Sequence, residues 1–281
     1  MHGSVRVERI RGHGIPEAIE AILINGSRVE PKVALLKPLS SAISIGSGGP
    51  FGAEGPIIMT GGAVGSLVAQ FFHLTSAERK TLLVAGAAAG MSATFAAPVA
   101  SVLLAVELLL FEWKPRSLVP VALAAATARG RAALPARPGS HLSGGAASRL
   151  HRRPEDWLGC VARPDSSPEC FGAALTRAVY ASEDAFSRLP IHWMWWPAIG
   201  GVVIGVGGLL FPQALGVGYE TIGDLLQGDV TGRTILGILI VKAVIWSVSL
   251  GSGTSGGVLA PLLMLGGALG GVEAWVLPDR G

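Results

Sequence analysis

The chain alternates long apolar stretches with short breaks that are rich in glycine, proline or charge. The apolar stretches cover residues 33–45, 57–74, 81–112, 117–128, 194–212, 232–250 and 256–277. A helix needs roughly 20 apolar residues to cross the hydrocarbon core of a bilayer, and several of these stretches reach or approach that length. The pattern predicts an all-α polytopic membrane protein rather than a large soluble helical core.

One segment of the chain occurs twice. The first copy runs from Ser44 to Ala69 and the second from Ser249 to Ala274, and the two align without a gap. Identical pairs include Gly46/Gly251, Ser47/Ser252, Gly48/Gly253, Gly52/Gly257, Pro56/Pro261, Met59/Met264 and Gly61-Gly62-Ala63/Gly266-Gly267-Ala268. Each copy is a glycine-rich break followed by a proline and an apolar helix. This arrangement is typical of transport proteins whose broken helices meet at an ion site.

Two further positions are informative in this alignment. Lys37 and Lys242 fall into the same register upstream of the two copies. Within the copies, Glu54 stands opposite Leu259, so the first copy carries an acidic residue that the second lacks. An acidic residue inside an apolar segment is a functional candidate, since burying its charge in a membrane is costly.

The composition supports a membrane protein. Half of the residues are hydrophobic, 15% are charged and the mean hydropathy is +0.53, whereas soluble domains carry about 25% charged residues. The chain contains 40 glycines, which allow membrane helices to approach closely and also mark helix breaks. Such breaks are tolerated at membrane depth where protein or a water-filled cavity surrounds them.

Charge and cysteine content argue against several other classes. The net charge is +3, and no basic run is interleaved with aromatic residues, so nucleic-acid binding has no support. Cys160 and Cys170 have no histidine or cysteine companions at metal-ligand spacing. We therefore expect no metal site, no catalytic residue and no cofactor.

Residues 129–170 differ from the rest of the chain. They are rich in Arg, Pro, Gly, Ser and His, and they contain no Ile, Phe or Lys. One explanation is a long polar loop; the other is translation of a shifted reading frame from GC-rich codons, with the loss of a transmembrane helix. The predicted organisation is one partial transmembrane domain, with a first repeat at 9–128, this atypical segment, and a second repeat at 172–281.

The glycine-rich break before Pro56 is a candidate ion site. A nucleotide-binding P-loop requires Lys followed by Ser or Thr after its last glycine, whereas this chain continues Pro56-Ile57-Ile58. What remains is a helix N-terminus, whose free N–H groups and partial positive charge suit an anion. Residues 257–259 offer a second such N-terminus. An ionised Glu54 would compete with the anion for the same N–H groups, and a protonated or displaced Glu54 would admit it.

Three ordered segments, RGHGIPE, GAEGP and GGVLAP, resemble the anion-site motifs of the CLC family of chloride channels and chloride/proton antiporters, usually written GSGIP, G(K/R)EGP and GxFxP. The similarity covers 9–128 and 172–277. It implies an inverted-repeat bundle of tilted and broken helices, a homodimer in the lipid bilayer, and one pathway per subunit for chloride or another small anion. By resemblance Glu54 is the gate, and the anion-binding residues are His13, Gly14, Ile15, Gly52, Gly55, Val258 and Leu259.

The departures from these motifs concern specificity and coupling. His13 stands where the family has a serine whose hydroxyl faces the anion, Ala53 replaces the basic residue before the gate, and Leu259 replaces an aromatic residue. Antiporters of the family often carry a second glutamate at a position occupied here by Leu108, and Glu107 falls one position earlier. Tight proton coupling is therefore less strongly indicated than anion transport.

We expect a multi-pass protein of a bacterial inner membrane that conducts or transports chloride. The resemblance also implies that the chain is truncated at both ends, because family members have helices before the first motif and after the third. The alternatives are a non-transporting remnant, a chloride/proton antiporter and a fluoride-selective antiporter. An intramembrane enzyme using Glu54 and His13 as an acid/base pair lacks a nucleophile or metal ligands.

Overall fold

The structure is a computed structural model of the chain, and it describes residues 12–132, 167–227, 230 and 232–276. Residues 9–11 of the predicted first repeat, most of the atypical segment, including Cys160, and residues 277–281 lie outside this range. The choice between a polar loop and a shifted reading frame at 129–170 therefore falls largely on residues outside the described part.

The described residues form helices and connecting segments without a β-sheet, which confirms the all-α class. In chain order the α-helices are α1 (Ile15–Leu23), α2 (Pro31–Gly46), α3 (Glu54–Gln70), α4 (Ser76–Phe95), α5 (Pro98–Ala105), α6 (Pro115–Ala132), α7 (Ser167–Ser187), α8 (Trp196–Leu210), α9 (Tyr219–Gln227), α10 (Gly232–Gly237), α11 (Ala243–Gly251) and α12 (Leu259–Val276). A π-helical turn at Val106–Leu110 continues α5, and another at Ile238–Lys242 joins α10 to α11. Short 3-10 turns at Trp193–Trp195 and Pro212–Ala214 flank α8.

Local sequence explains several helix ends. Helices α2, α5 and α6 each begin with a proline, which suits the first turn because its missing N–H would have no partner there. At the start of α4, Thr75 and Glu78 form a capping box: Thr75 N donates to the Glu78 carboxylate at 2.8 Å, and Glu78 N donates to the Thr75 hydroxyl at 3.4 Å. The same helix ends at Phe95, and the next residue, Ala96, has a left-handed φ of 57°.

The helices group into two compact units. The first unit contains residues up to Ser47, the segment from Phe51 to the end of α6, and the short segment Thr254–Leu259. The second unit contains Gly48–Pro50, the described residues from α7 to Gly253, and α12 from Ala260 onward. The segment that precedes α12 thus belongs to the unit built from the first half of the chain.

Helices α3 and α4 pack closely at the centre of the first unit because glycines lie at their contact. A Cβ added to Gly61 would meet the backbone of Gly86, and one added to Gly86 would meet the backbone of Gly61. A Cβ on Gly65 would likewise meet the backbone of Leu82. Buried Leu83, Val84, Ala87, Ala88 and Met91 of α4 join residues of α1, α2, α3 and α6 in one hydrophobic core.

Glycines also allow close helix contacts in the second unit. Helix α8 approaches the C-terminal end of α11 at Gly200, where a Cβ would lie 3.1 Å from the Cβ of Ser252. Helix α7 approaches the same end at Gly251, where a Cβ would lie 2.6 Å from the Cβ of Ser182. A small core of Ile222, Ile238, Met264 and Ala268 lies between α9, the second π-helical turn and α12.

Within the described residues, two helical stretches are long and apolar enough to cross a bilayer, Trp193–Leu210 and Gly232–Gly251, and Pro98–Leu110 and Leu259–Glu273 are shorter apolar helices. The predicted stretch at 57–74 forms a helix that ends after 17 residues. Large apolar side chains are nevertheless exposed on the surface, among them Phe71 at 85% and Leu209 at 86%. A surface of this kind is expected where helices contact lipid rather than water.

The α3/α4 contact generates a stability prediction. We expect Gly61→Ala to lower the free energy of unfolding by about 1–3 kcal/mol, because the new methyl group would meet the Gly86 backbone, which cannot rotate away. Gly270→Ala in α12 is the matched control, since a Cβ there meets no atom within 4 Å. Thermal unfolding of the detergent-solubilised protein measures both, and equal effects of the two substitutions would contradict the close-contact explanation.

Candidate functional site

The predicted site residues all fall in the first unit, although they come from three separate parts of the chain. The Gly12–Ile15 segment covers the start of α1, residues 52–55 cover the start of α3, and residues 257–259 cover the start of α12. The third segment comes from the end of the chain and is the part of the second copy that joins the first unit. The structure therefore brings the three motif segments into one compact unit.

The two copies of the repeat meet at Gly52 and Gly257. These residues form an isolated antiparallel bridge, in which Gly52 N donates to Gly257 O at 2.9 Å and Gly257 N donates to Gly52 O at 2.6 Å. Helix α3 begins two residues after Gly52, and helix α12 begins two residues after Gly257. The bridge therefore holds the starts of two helices together.

Neighbouring contacts reinforce this bridge. Phe51 is fully buried, and a Cβ on Gly256 would meet its side chain, so the two segments pack in contact one residue before the bridge. Ser255, which precedes Gly256, forms a buried hydrogen bond with Ser41 of α2, and the two hydroxyl oxygens lie 3.1 Å apart. The pairing thus extends over consecutive residues of the second copy.

The backbone of the Gly12–Ile15 segment lies close to the backbone at the start of α3. A Cβ on Gly14 would lie 2.6 Å from the carbonyl carbon of Gly55, and a Cβ on Gly55 would lie 2.8 Å from the carbonyl carbon of His13. Gly14 also has a left-handed φ of 93°, which disfavours any other residue. Two of the predicted site glycines are therefore required by a close approach of main chains.

Glu54 lies at the centre of this arrangement. It is the first residue of α3, its exposed fraction is 2%, and its carboxylate lies over the bridge glycines. A Cβ on Gly52 would lie 2.6 Å from Glu54 Oε1, and a Cβ on Gly257 would lie 2.6 Å from Glu54 Oε2. The carboxylate occupies the space beside two paired glycine backbones at two helix starts.

The other predicted residues contribute unequally. The Nδ1 atom of His13 is buried and has no hydrogen-bond partner within the described residues. Ile15 packs partly against the hydrophobic core of the first unit. The side chain of Leu259 is 39% exposed, so we assign only its backbone, with that of Val258, to the site.

A buried lysine supports the first segment, and sequence reasoning did not give it a role. Lys37 is fully buried, and its Nζ donates to Gly12 O at 2.8 Å and lies 4.0 Å from Glu17 Oε1. The other carboxylate oxygen of Glu17 accepts a hydrogen bond from Gly14 N at 2.8 Å. Lys37 and Glu17 therefore hold the backbone on either side of His13.

The second unit contains a matching lysine. Lys242 is also fully buried, and its Nζ donates to Gly216 O at 2.7 Å. Gly216 and Gly218 have left-handed φ values of 64° and 77°, as Gly12 and Gly14 do, and they precede α9 as the first pair precedes α1. The register of Lys37 with Lys242 was the sequence signal for this shared role.

Within the described ranges, no group of three or more His, Cys, Asp or Glu side chains is arranged to hold a metal ion. The predicted site segments carry backbone N–H groups, the carboxylate of Glu54 and the imidazole of His13.

Comparisons with known proteins agree on one family. A family model described as "Voltage gated chloride channel" matches residues 4–280. The H(+)/Cl(-) exchange transporter ClcA of Klebsiella pneumoniae strain 342 is 32% identical over 92% of this chain and 56% of its own length. The voltage-gated ClC-type chloride channel ClcB of Salmonella typhimurium is 29% identical over 95% of this chain and 63% of its own length.

Solved structures share the fold. A slow cyanobacterial Cl-/H+ antiporter matches with a TM-score of 0.75 and 22% identity, covering 95% of this chain and 63% of its own. A CLC-type fluoride/proton antiporter matches with a TM-score of 0.69 and 21% identity, covering 94% of this chain and 67% of its own. The present chain spans 56–63% of the length of the two curated relatives named above.

The lysine contacts generate a second stability prediction. We expect Lys37→Met to destabilise the protein by about 1–3 kcal/mol, because it leaves the part-buried Gly12 carbonyl without its donor and removes the cation beside the Glu17 carboxylate. Lys32→Met is the control, because Lys32 is exposed on the same helix. Thermal unfolding in detergent measures both variants, and a Lys37→Met midpoint equal to that of the control would contradict the assigned contacts.

Proposed function

The chain belongs to the voltage-gated chloride channel family, and from that membership we propose that it carries chloride or a related small anion across a membrane. The observation that carries the proposal is the Gly52–Gly257 bridge, from which two helices start, with the buried carboxylate of Glu54 beside it. Both curated relatives named above are described as chloride channels or exchangers.

The anion is held by backbone dipoles in this proposal. The first turn of a helix presents N–H groups without an intrahelical acceptor, and they carry partial positive charge. A site made of such groups binds an anion without a full opposing charge, so the anion can also leave, as conduction requires. The buried ammonium of Lys37 donates to a carbonyl oxygen instead. The residues proposed to contribute are His13, Gly14, Ile15, Gly52, Gly55, Val258 and Leu259.

Glu54 acts as the gate. Its ionised carboxylate lies beside the bridge and competes with an incoming anion for the same helix-start N–H groups. Protonation removes the negative charge, and rotation of the side chain removes the obstruction. Either change frees the position for the anion, so a single acidic side chain controls admission.

Membership of the family supports a proposal for the location and the assembly of the protein. We propose that the protein lies in the inner membrane of a bacterial cell, crosses it several times, and works as a homodimer with one pathway in each subunit. The relatives are transporters and channels, and we propose that this protein likewise is not an enzyme. No cofactor and no nucleic acid enter the proposed function; the anion is cargo.

Replacing the gate tests the proposal directly. We expect Glu54→Gln and Glu54→Ala to leave anion flux ungated and to abolish any coupled proton movement, because neither side chain carries a titratable charge. Chloride efflux from liposomes with simultaneous proton recording measures both quantities. The same recording on the wild type distinguishes a channel, a proton-coupled antiporter and a non-transporting remnant.

Glu20→Gln is the control for this experiment, since Glu20 is an exposed acid in the same unit. It should leave flux and its pH dependence unchanged. A pH-dependent block that persists in Glu54→Ala would show that the gate is another group.

His13 is proposed to set specificity. Its ring lies between two backbone-anchored glycines and replaces a hydroxyl donor of the family motif, so His13→Ser exchanges a titratable donor for a smaller neutral one. We expect the relative permeabilities of fluoride, chloride and nitrate, or their variation between pH 5 and 8, to change. Identical permeabilities in both proteins across that range would exclude contact between His13 and the anion.

A further inference from the structure

We propose that Gly52 is a positioning residue for the Glu54 carboxylate. In this proposal the missing side chain at position 52 creates the space in which the carboxylate docks, and any side chain there drives it out. The inference rests on the proposed function, because the docked carboxylate is the closed state of the proposed gate. It assigns a role to the missing side chain of Gly52, separate from the role of its backbone, and this role acts through Glu54.

A side chain at position 52 would collide first with the carboxylate of Glu54. The three atoms nearest to a Cβ built on Gly52 are all in the Glu54 carboxylate: Oε2, then Cδ at 2.5 Å and Oε1 at 2.6 Å. Real Cβ atoms essentially never approach other heavy atoms within 3.0 Å. An alanine methyl group and the docked carboxylate therefore cannot occupy their places at the same time.

The partner glycine of the bridge behaves differently. A Cβ on Gly257 would lie 2.6 Å from Glu54 Oε2, but also 2.7 Å from the carbonyl oxygen of Gly52 and 3.0 Å from the backbone nitrogen of Glu54. Because two of these three atoms belong to the main chain, a side chain at 257 would disturb the bridge itself. The missing side chain at Gly257 therefore allows the two segments to pair, whereas the missing side chain at Gly52 leaves room for the Glu54 carboxylate.

Backbone conformation does not explain Gly52. It is absent from the described residues that have a positive φ, so an alanine can adopt its backbone geometry. The Glu54 carboxylate ends a flexible side chain that can rotate about its own bonds, whereas the hydrogen bonds between Gly52 and Gly257 involve main-chain atoms. The least costly response to a methyl group at 52 is rotation of Glu54 away from the bridge.

Four variants test this inference: Gly52→Ala, Glu54→Ala, the two combined, and Gly46→Ala. Gly46 is the matched control, because it lies in the same unit and a Cβ there meets no atom within 4 Å. Chloride efflux from liposomes at neutral pH and the unfolding midpoint in detergent are measured for each. The combined variant shows whether Gly52 acts through Glu54 or independently of it.

We expect Gly52→Ala to raise chloride flux to the level of Glu54→Ala, with no further rise in the combined variant. The increase over wild type should be about tenfold or more, since the minor state of such an equilibrium is commonly populated at ~10% or less. Gly46→Ala should match the wild type. Wild-type flux in Gly52→Ala, or additive effects in the combined variant, would overturn the inference.

Stability supplies the second readout. Gly52→Ala should lower the unfolding midpoint when Glu54 is present and should not lower it in the Glu54→Ala background, where the methyl group meets no carboxylate. If Gly52→Ala alone does not fold, recovery of the fold in the combined variant supports the inference, and failure of both variants to fold overturns it.

The two hypotheses can fail separately. Absence of chloride flux in the wild type and in Glu54→Ala would contradict the proposed function, while the stability comparison still decides whether Gly52 holds the carboxylate. If the wild type and Glu54→Ala both carry chloride, Glu54→Ala is ungated and Gly52→Ala is still gated, the role of Gly52 is contradicted. The proposed function would still stand.

Discussion

The two hydrogen bonds between Gly52 and Gly257 are the constraint on which the rest of the site depends. They join segments that are 205 residues apart in the sequence, and each segment leads into a helix within two residues. Irregular backbone inside a membrane protein is costly unless protein or water satisfies its polar groups. The bridge satisfies one donor and one acceptor on each segment.

Glycine is abundant in this chain for several distinct reasons. Gly61 and Gly86 let two helices touch, Gly14 and Gly55 let a loop touch a helix start, and Gly12 and Gly216 provide left-handed turns whose carbonyls accept from buried lysines. Gly52 differs from these because its empty space is filled by a side chain of its own segment. In each case the absence of a side chain lets neighbouring atoms come close to the backbone, and this close packing fixes the positions of the backbone dipoles.

The proposed mechanism follows from placing a carboxylate beside such dipoles. Helix starts attract any anion, including the acidic side chain that belongs to the protein, so an internal competitor is a simple way to control entry. Glu54 is buried at the first position of α3, where the attraction of the helix start for negative charge is strong. The buried lysines stabilise the surrounding turns through carbonyl oxygens.

Sequence alone determined the all-α class, the family resemblance, the repeat and most helix positions, because these depend on local features such as apolar length, proline placement and glycine breaks. It also identified Glu54 as the acidic mismatch between the two copies, and the anion-binding roles remain predictions. Tertiary structure alone decided that Gly52 pairs with Gly257, that residues 254–259 join the first unit, and that Lys37 and Lys242 bind Gly12 and Gly216. It likewise decided the π-helical turns at Val106–Leu110 and Ile238–Lys242. These features depend on which atoms meet after distant segments pack, and a local pattern of residues does not specify those partners.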